Sequence, residues 1–322
     1  MSVRGEQPGR PEPARKRRLP ITFGRIAALG SLIGVAAVVV VIVLDSTRGR
    51  SSPPAGASTT ASTPHPARRG PVTAATVHPG TATVPILVYH VINAQPAGSS
   101  ALPALYVPSD QFSRQMQSLK TNGWHAVTLD QVQAYWSRGT SLGPGKPIVI
   151  TFDNGYASHY TNALPVLKGL GWVGVENLQV TGLPPSEGGL TDTQIRGLIT
   201  AGWELDTQGL DHTDLTALDP AGLANDLTAA RHMLQSHYGA HVNWFSYPSG
   251  DYSPTVTAAV QAAGFVGATT VNRGWASPKQ DRFRLPRLVV TAGTSPSQLL
   301  AQIAAAQGTT STPAAYSGLG LA

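Results

Sequence analysis

The 322-residue chain has no cysteine and a formal net charge of +6, which excludes disulfides and thiolate metal sites. Residues 1–25 hold seven basic and two acidic side chains, residues 45–83 four and one, and residues 84–322 twelve and fourteen. The bulk of the chain is therefore mildly acidic, and the basic balance points to a membrane flank instead of a nucleic-acid-binding surface.

After the basic segment 1–25, residues 26–44 form a run of 19 uncharged residues, IAALGSLIGVAAVVVVIVL. At 1.5 Å rise per residue this is long enough to cross a bilayer. It reads as a single-pass transmembrane signal-anchor with a cytoplasmic N-terminus and an extracytoplasmic domain. Cleavage as a signal peptide, giving a secreted domain, is the alternative. Residues 45–83 are rich in Ser, Thr, Pro, Ala and Gly without apolar periodicity. Such a segment buries too little surface to fold and is expected to be a disordered tether. A folded domain is expected over 84–307, followed by a flexible C-terminal tail, 308–322.

Within the domain, Val84 to His90 reads as a buried strand. Ser109 to Leu119 reads as a helix, with Phe112, Met116 and Leu119 on one face and Ser109 as cap. A strand at 124–129 leads into a helix from Asp130, and the strand 148–152 into a helix over 161–170. Helix 191–201 then feeds a strand at 203–205. The long helix 220–237 feeds strand 244–247, and helix 253–263 feeds strand 266–270. Strands alternating with helices imply a parallel sheet covered by helices. About seven such units favour an irregular (β/α) barrel, an α/β fold.

Polar residues stand where these strands end: His90, Asp153 with Asn154, Gln208 with His212, and Ser249-Gly250-Asp251. Strand ends converge on one pocket in a barrel, so residues distant in sequence can meet there. Taken alone, Asp153-Asn154-Gly155 is equally a tight turn.

Together these segments resemble the polysaccharide deacetylase family, the NodB-homology domain of carbohydrate esterase family four. The resemblance runs from about Val84 to Leu300. It rests on Ile86-Leu87-Val88-Tyr89-His90, on Thr151-Phe152-Asp153-Asn154-Gly155-Tyr156 with Ala163-Leu164-Pro165-Val166-Leu167, on Glu204 through Leu215, and on Phe245 through Gly250. Phe283 through Leu288 and Gly293-Thr294-Ser295 resemble the branch acting on surface and biofilm polysaccharides.

The resemblance implies hydrolysis of N-acetyl groups on amino-sugar polymers, with Asp153 as catalytic base and a divalent metal, commonly zinc. The ligand positions fall on Asn154, Gln208 and His212, so two of the three carry amides. The Arg that positions the base in the family is Ser246 here. His90, Asp206, Asp211, Tyr247, Ser249 and Arg287 are further pocket candidates, and Asp206 or Asp211 with His90 and His212 would be the donors of a rebuilt site. Trp124, Tyr156, Tyr247, Tyr252 and Trp275 offer stacking faces for sugar rings. Two functions stay open: a metal-dependent N-deacetylase acting on an acetylated polysaccharide or peptidoglycan glycan, and a glycan-binding pseudoenzyme using the same groove.

Overall fold

The structure is a computed structural model that describes residues 78–97, 102–181, 188–309 and 312–317. The expected membrane segment 26–44 and most of the expected tether lie outside the described residues. Among those that are described, no helix is long and apolar enough to cross a membrane. The last residues of the expected tether pack on the domain. Gly80 N donates to Tyr135 O, and the Trp136 indole donates to Ala82 O.

A curled, mostly parallel sheet forms the frame. Its strands are β1 (Val84–Tyr89), β2 (Trp124–Ala126), β3 (Lys146–Asn154), β4 (Val175–Leu178), β5 (Glu204–Thr207), β6 (Trp244–Ser246), β7 (Gly267–Thr269), β8 (Trp275–Ala276) and β9 (Leu288–Val289). The order is β7-β6-β5-β4-β3-β1-β8, with β2 added to β3 and β9 to β1. Only β8 pairs antiparallel. Leu285 bridges Thr269 of β7 while Leu288 pairs with Leu87 of β1, so one short segment touches both edges of the curl.

Alternation along the strands sorts the core. Leu87, Tyr89, Ile148, Ile150 and Phe152 pack outward against α1 (Ser109–Thr121), α3 (Leu164–Gly169) and α7 (Pro296–Ala306). Phe245, Leu205 and Ala268 pack beneath α5 (Pro220–Tyr238) and α6 (Pro254–Ala262). The other face carries Ile86, Val149, Val175 and Trp244, closed by Leu129, Val132 and Trp136 of α2 (Leu129–Arg138). A period of two puts Thr151 and Asp153 on this concave face with Val149.

Helix starts follow local chemistry. Thr128 with Gln131 and Thr191 with Gln194 form reciprocal caps that open α2 and α4 (Asp192–Thr200). Pro220 at the first turn and Gly239 in left-handed geometry (φ 65°) bound α5. Ser109 is inside α1 and not its cap; Pro108 holds that position without a side-chain bond. In the C-terminal segment, Pro313 and Tyr316 are hydrogen-bonded to the domain. Tyr316 bridges Tyr252, and Pro313 O accepts from Tyr252 and Arg284.

Candidate functional site

Asp153 is the last but one residue of β3, on the concave side, with only 2 % of its surface exposed. Its neighbour across the ladder is Asn177 of β4, whose Nδ2 donates to Asp153 Oδ1 at 2.7 Å. Arg287, fully buried, clamps the carboxylate bidentately at 2.9 and 2.8 Å. Gln208 Nε2 donates to Oδ2 at 3.1 Å and Ser246 Oγ at 3.3 Å. Burial would raise the carboxyl's pKa, but the Arg287 charge and its hydrogen bonds outweigh that and hold it below the usual range. Asp153 is thus an ionised group whose lone pairs are filled by five donors.

Arg287 supplies the guanidinium missing from position 246. It reaches the rim from the segment between β7 and β9. Further bonds run to Thr270 O (2.8 Å), Thr151 Oγ1 (3.1 Å) and Ser246 Oγ (2.9 Å). Ser246 therefore belongs to the same cluster, as the small neighbour that leaves room for the guanidinium.

The backbone at this rim is bent into uncommon geometry. Asn154 (φ 82°) and Ser249 (φ 53°) are the two non-glycine residues with positive φ among the described residues, and Gly155 follows at φ 93°. Asn tolerates this region better than most side chains. The turn aims the Asn154 amide at Gln179 Oε1, 3.5 Å away. Gln179 also lines a cleft of about 430 Å³ bordered by Leu190, Asp192, Met233 and Tyr238.

His90 follows β1 at the same rim. Burial lowers its pKa to about 4, so the imidazole is neutral near pH 7. Its carbonyl is held at 2.6 Å by His159 Nε2, and His159 Nδ1 meets buried Glu176 at 2.9 Å. His159 lies in a short π-helical stretch, His159–Ala163, of the kind often found at functional sites. His212 is half-buried on the loop after β5, its pKa lowered by burial against the opposing pull of Asp153. Asp226 of α5 anchors that loop by accepting from Leu210 N.

The structure brings His90, Asp153, Asn154, Gln208, His212 and Arg287 to one rim, with Ser249 on the adjoining turn. Three expected candidates lie elsewhere. Asp206 sits one layer deeper, accepting from Asn243 N and Trp244 N and adjoining Glu204, so it does not reach the rim. Asp211 is exposed and caps its own turn through Thr213. Tyr247 faces the outer core and donates to Phe283 O. Asn177, Gln179 and His159 were not expected at the site. The only signal for them was polar residues within otherwise apolar segments.

The ligand positions do not fit the divalent metal that the family implies. Asn154 and Gln208 offer neutral amides, and the Gln208 amide is committed through Nε2 to Asp153. Amide oxygens lack the charge or nitrogen lone pair that holds zinc. No three His, Asp or Glu side chains converge in metal-binding geometry among the described residues. Three buried polar atoms at the site lack protein partners: His90 Nδ1, Asn177 Oδ1 and Gln208 Oε1. Unpaired buried groups cost about 1–3 kcal/mol each, so a polar ligand that pairs them is favoured.

Residues 141–268 match the family model described as polysaccharide deacetylase. The chain carries a polysaccharide deacetylase domain. It is 28 % identical over 222 residues to YxkH of Bacillus subtilis strain 168, named as a polysaccharide deacetylase, covering 69 % of this chain and 76 % of that one. It is 24 % identical to the poly-beta-1,6-N-acetyl-D-glucosamine N-deacetylase of Staphylococcus epidermidis, over 61 % and 71 % of the two chains. Among solved structures, the Streptococcus pyogenes deacetylase PplD, in complex with acetate, superposes with a TM-score of 0.63 at 26 % identity, covering 69 % of this chain and 99 % of that one. IcaB from Ammonifex degensii gives 0.58 at 25 %, over 68 % and 96 %.

Proposed function

We propose that this polysaccharide deacetylase domain binds an acetylated amino-sugar polymer of the cell envelope at the Asp153 rim without hydrolysing it. The observation that carries this reading is the pair of neutral amides at the ligand positions 154 and 208, beside an Asp153 carboxylate already bound by five donors. A general base needs a free lone pair and a pKa near the working pH. Here all five donors hold the carboxylate ionised and occupied. Neutral amides at 154 and 208 leave no donor set to activate a water.

Binding has a positive rationale as well. An acetamido group presents one N–H and one carbonyl. The unpartnered Gln208 Oε1 and Asn177 Oδ1 are acceptors, and the neutral His90 imidazole can donate. Two relatives named for poly-N-acetylglucosamine deacetylation support the polymer class. The apolar run 26–44 and the polar segment after it support a membrane anchor with an extracytoplasmic domain, which a tether would let sweep a zone near the surface.

The test is cosedimentation of the purified protein with insoluble poly-N-acetylglucosamine. Gln208→Ala with His212→Ala is expected to weaken binding at least tenfold. Binding untouched by the rim substitutions, or acetate released during the incubation, would overturn the proposal.

A further inference from the structure

Trp124 and Trp275, two of the expected stacking residues, do not reach the rim. They line a cleft of about 480 Å³ at the amino ends of β1 and β3, with Thr83, Asn122, Lys146 and Gln307 around them. This volume falls within the ~300–1,000 Å³ range of small-ligand sites. β3 runs nine residues from Lys146 to Asn154, placing cleft and rim about 26 Å apart along the strand.

The indoles meet edge to face at 5.9 Å between ring centres, and the half-buried Trp124 has the Lys146 ammonium 5.5 Å from its ring centre. Trp275 is fixed by donation to Ile303 O at 2.8 Å. Lys146 is exposed and also reaches Asn122 O at 3.3 Å. An apolar aromatic floor with amide and hydroxyl groups at its edge matches a pyranose, which has C–H faces and a polar rim. Among the described residues, Lys146 is the one charged residue lining the cleft. It accommodates a neutral acetamido sugar and repels the ammonium of a deacetylated one.

We propose that this cleft is a second carbohydrate site, selective for N-acetylated over de-N-acetylated amino sugars. It rests on the reading that the domain binds such polymers, and it would let one molecule grip two strands or distinguish processed from unprocessed polymer.

The experiment titrates the full-length protein in detergent with triacetylchitotriose and with fully de-N-acetylated chitotriose, following tryptophan fluorescence. The acetylated trimer is expected to change the emission, and the other to bind at least tenfold more weakly. The response should persist in the rim variant Gln208→Ala/His212→Ala and weaken at least tenfold in Trp124→Ala. Because Trp124→Ala removes packing, Lys146→Glu serves as the second variant. Its side chain is exposed, and the preference for the acetylated trimer should shrink or reverse. A response abolished by the rim variant but intact in Trp124→Ala and Lys146→Glu overturns the cleft and leaves the rim reading standing. A wild type silent to both trimers, with polymer binding still lost in the rim variant, does the same. A response that needs Trp124 while polymer binding ignores the rim substitutions sinks the rim reading alone.

Discussion

Arg287→Met would remove the guanidinium while keeping much of the apolar stem. Five bonds disappear: two to Asp153 and one each to Thr270 O, Thr151 and Ser246. Breaking one partner out of a buried ion pair costs about 3–5 kcal/mol, mostly because the surviving charge is stranded. A loss of about 4 kcal/mol at pH 7 is expected, a large share of a typical ~5–15 kcal/mol total. The pH dependence supplies a second reading. In the wild type, Arg287 depresses the Asp153 pKa, so that stability is present above the ordinary carboxyl pKa and lost as pH falls through the lowered value. In the variant the neutral donors Asn177, Gln208 and Ser246 remain but the guanidinium charge that offsets burial is gone, so the pKa rises and stability falls as pH increases. Urea unfolding monitored by the intrinsic tryptophans, at pH 5 and pH 8, measures both. Adding Asp153→Leu should recover at least about 2 kcal/mol of the loss, since the stranded charge is then gone. A single-variant loss under about 1 kcal/mol, with no inverted pH trend, would refute the saturated carboxylate and return Asp153 to the role of an accessible base.

Glu204 is pushed up to about 7 from an ordinary 4.5 by burial and by nearby Asp130, against the lowering pull of its hydrogen bond with Asp206. A raised carboxyl gives stability below its unfolded pKa that is lost as pH climbs. The domain should therefore lose up to about 3 kcal/mol between roughly pH 4.5 and 7, and Glu204→Gln should flatten that slope in pH-dependent melting. At the β3 turn, Asn154→Ala should cost about 1 kcal/mol from its positive φ, whereas Asn154→Gly should relieve strain; equal losses in chemical denaturation would contradict the geometry. Asn154→Asp combined with Gln208→His supplies the missing donors beside His212. Zinc affinity measured by competition with a chromophoric chelator should rise at least tenfold.

Much of the frame could be read from local chemistry. The apolar run before Asp153, the helices placed at 191–201 and 220–237, and the apolar face of α1 fall within a few residues of their elements. β4 escaped because Glu176 and Asn177 interrupt its apolar run, and both are polar for reasons outside the strand. Asn177 faces Asp153 and Glu176 faces His159. β8 and β9 are two residues each, too short to leave a period. At the rim, individual strand-end residues were legible, but their pairing was not. Arg287 and Asp153 are 134 positions apart. A guanidinium arriving from a different strand end leaves no spacing signature, so Ser246 looked like a loss when the charge had moved elsewhere. Asp206 illustrates the converse. Sharing a strand face with Gln208 does not place it at the same depth.

The most direct measurement is acetate release from β-1,6-linked poly-N-acetylglucosamine by the purified protein with added zinc, run beside Asp153→Asn. A saturated carboxylate and an amide-substituted ligand set predict release indistinguishable between the two, although the polymer is bound. Chelator-sensitive acetate release by the wild type, abolished in Asp153→Asn, would contradict a binding-only rim.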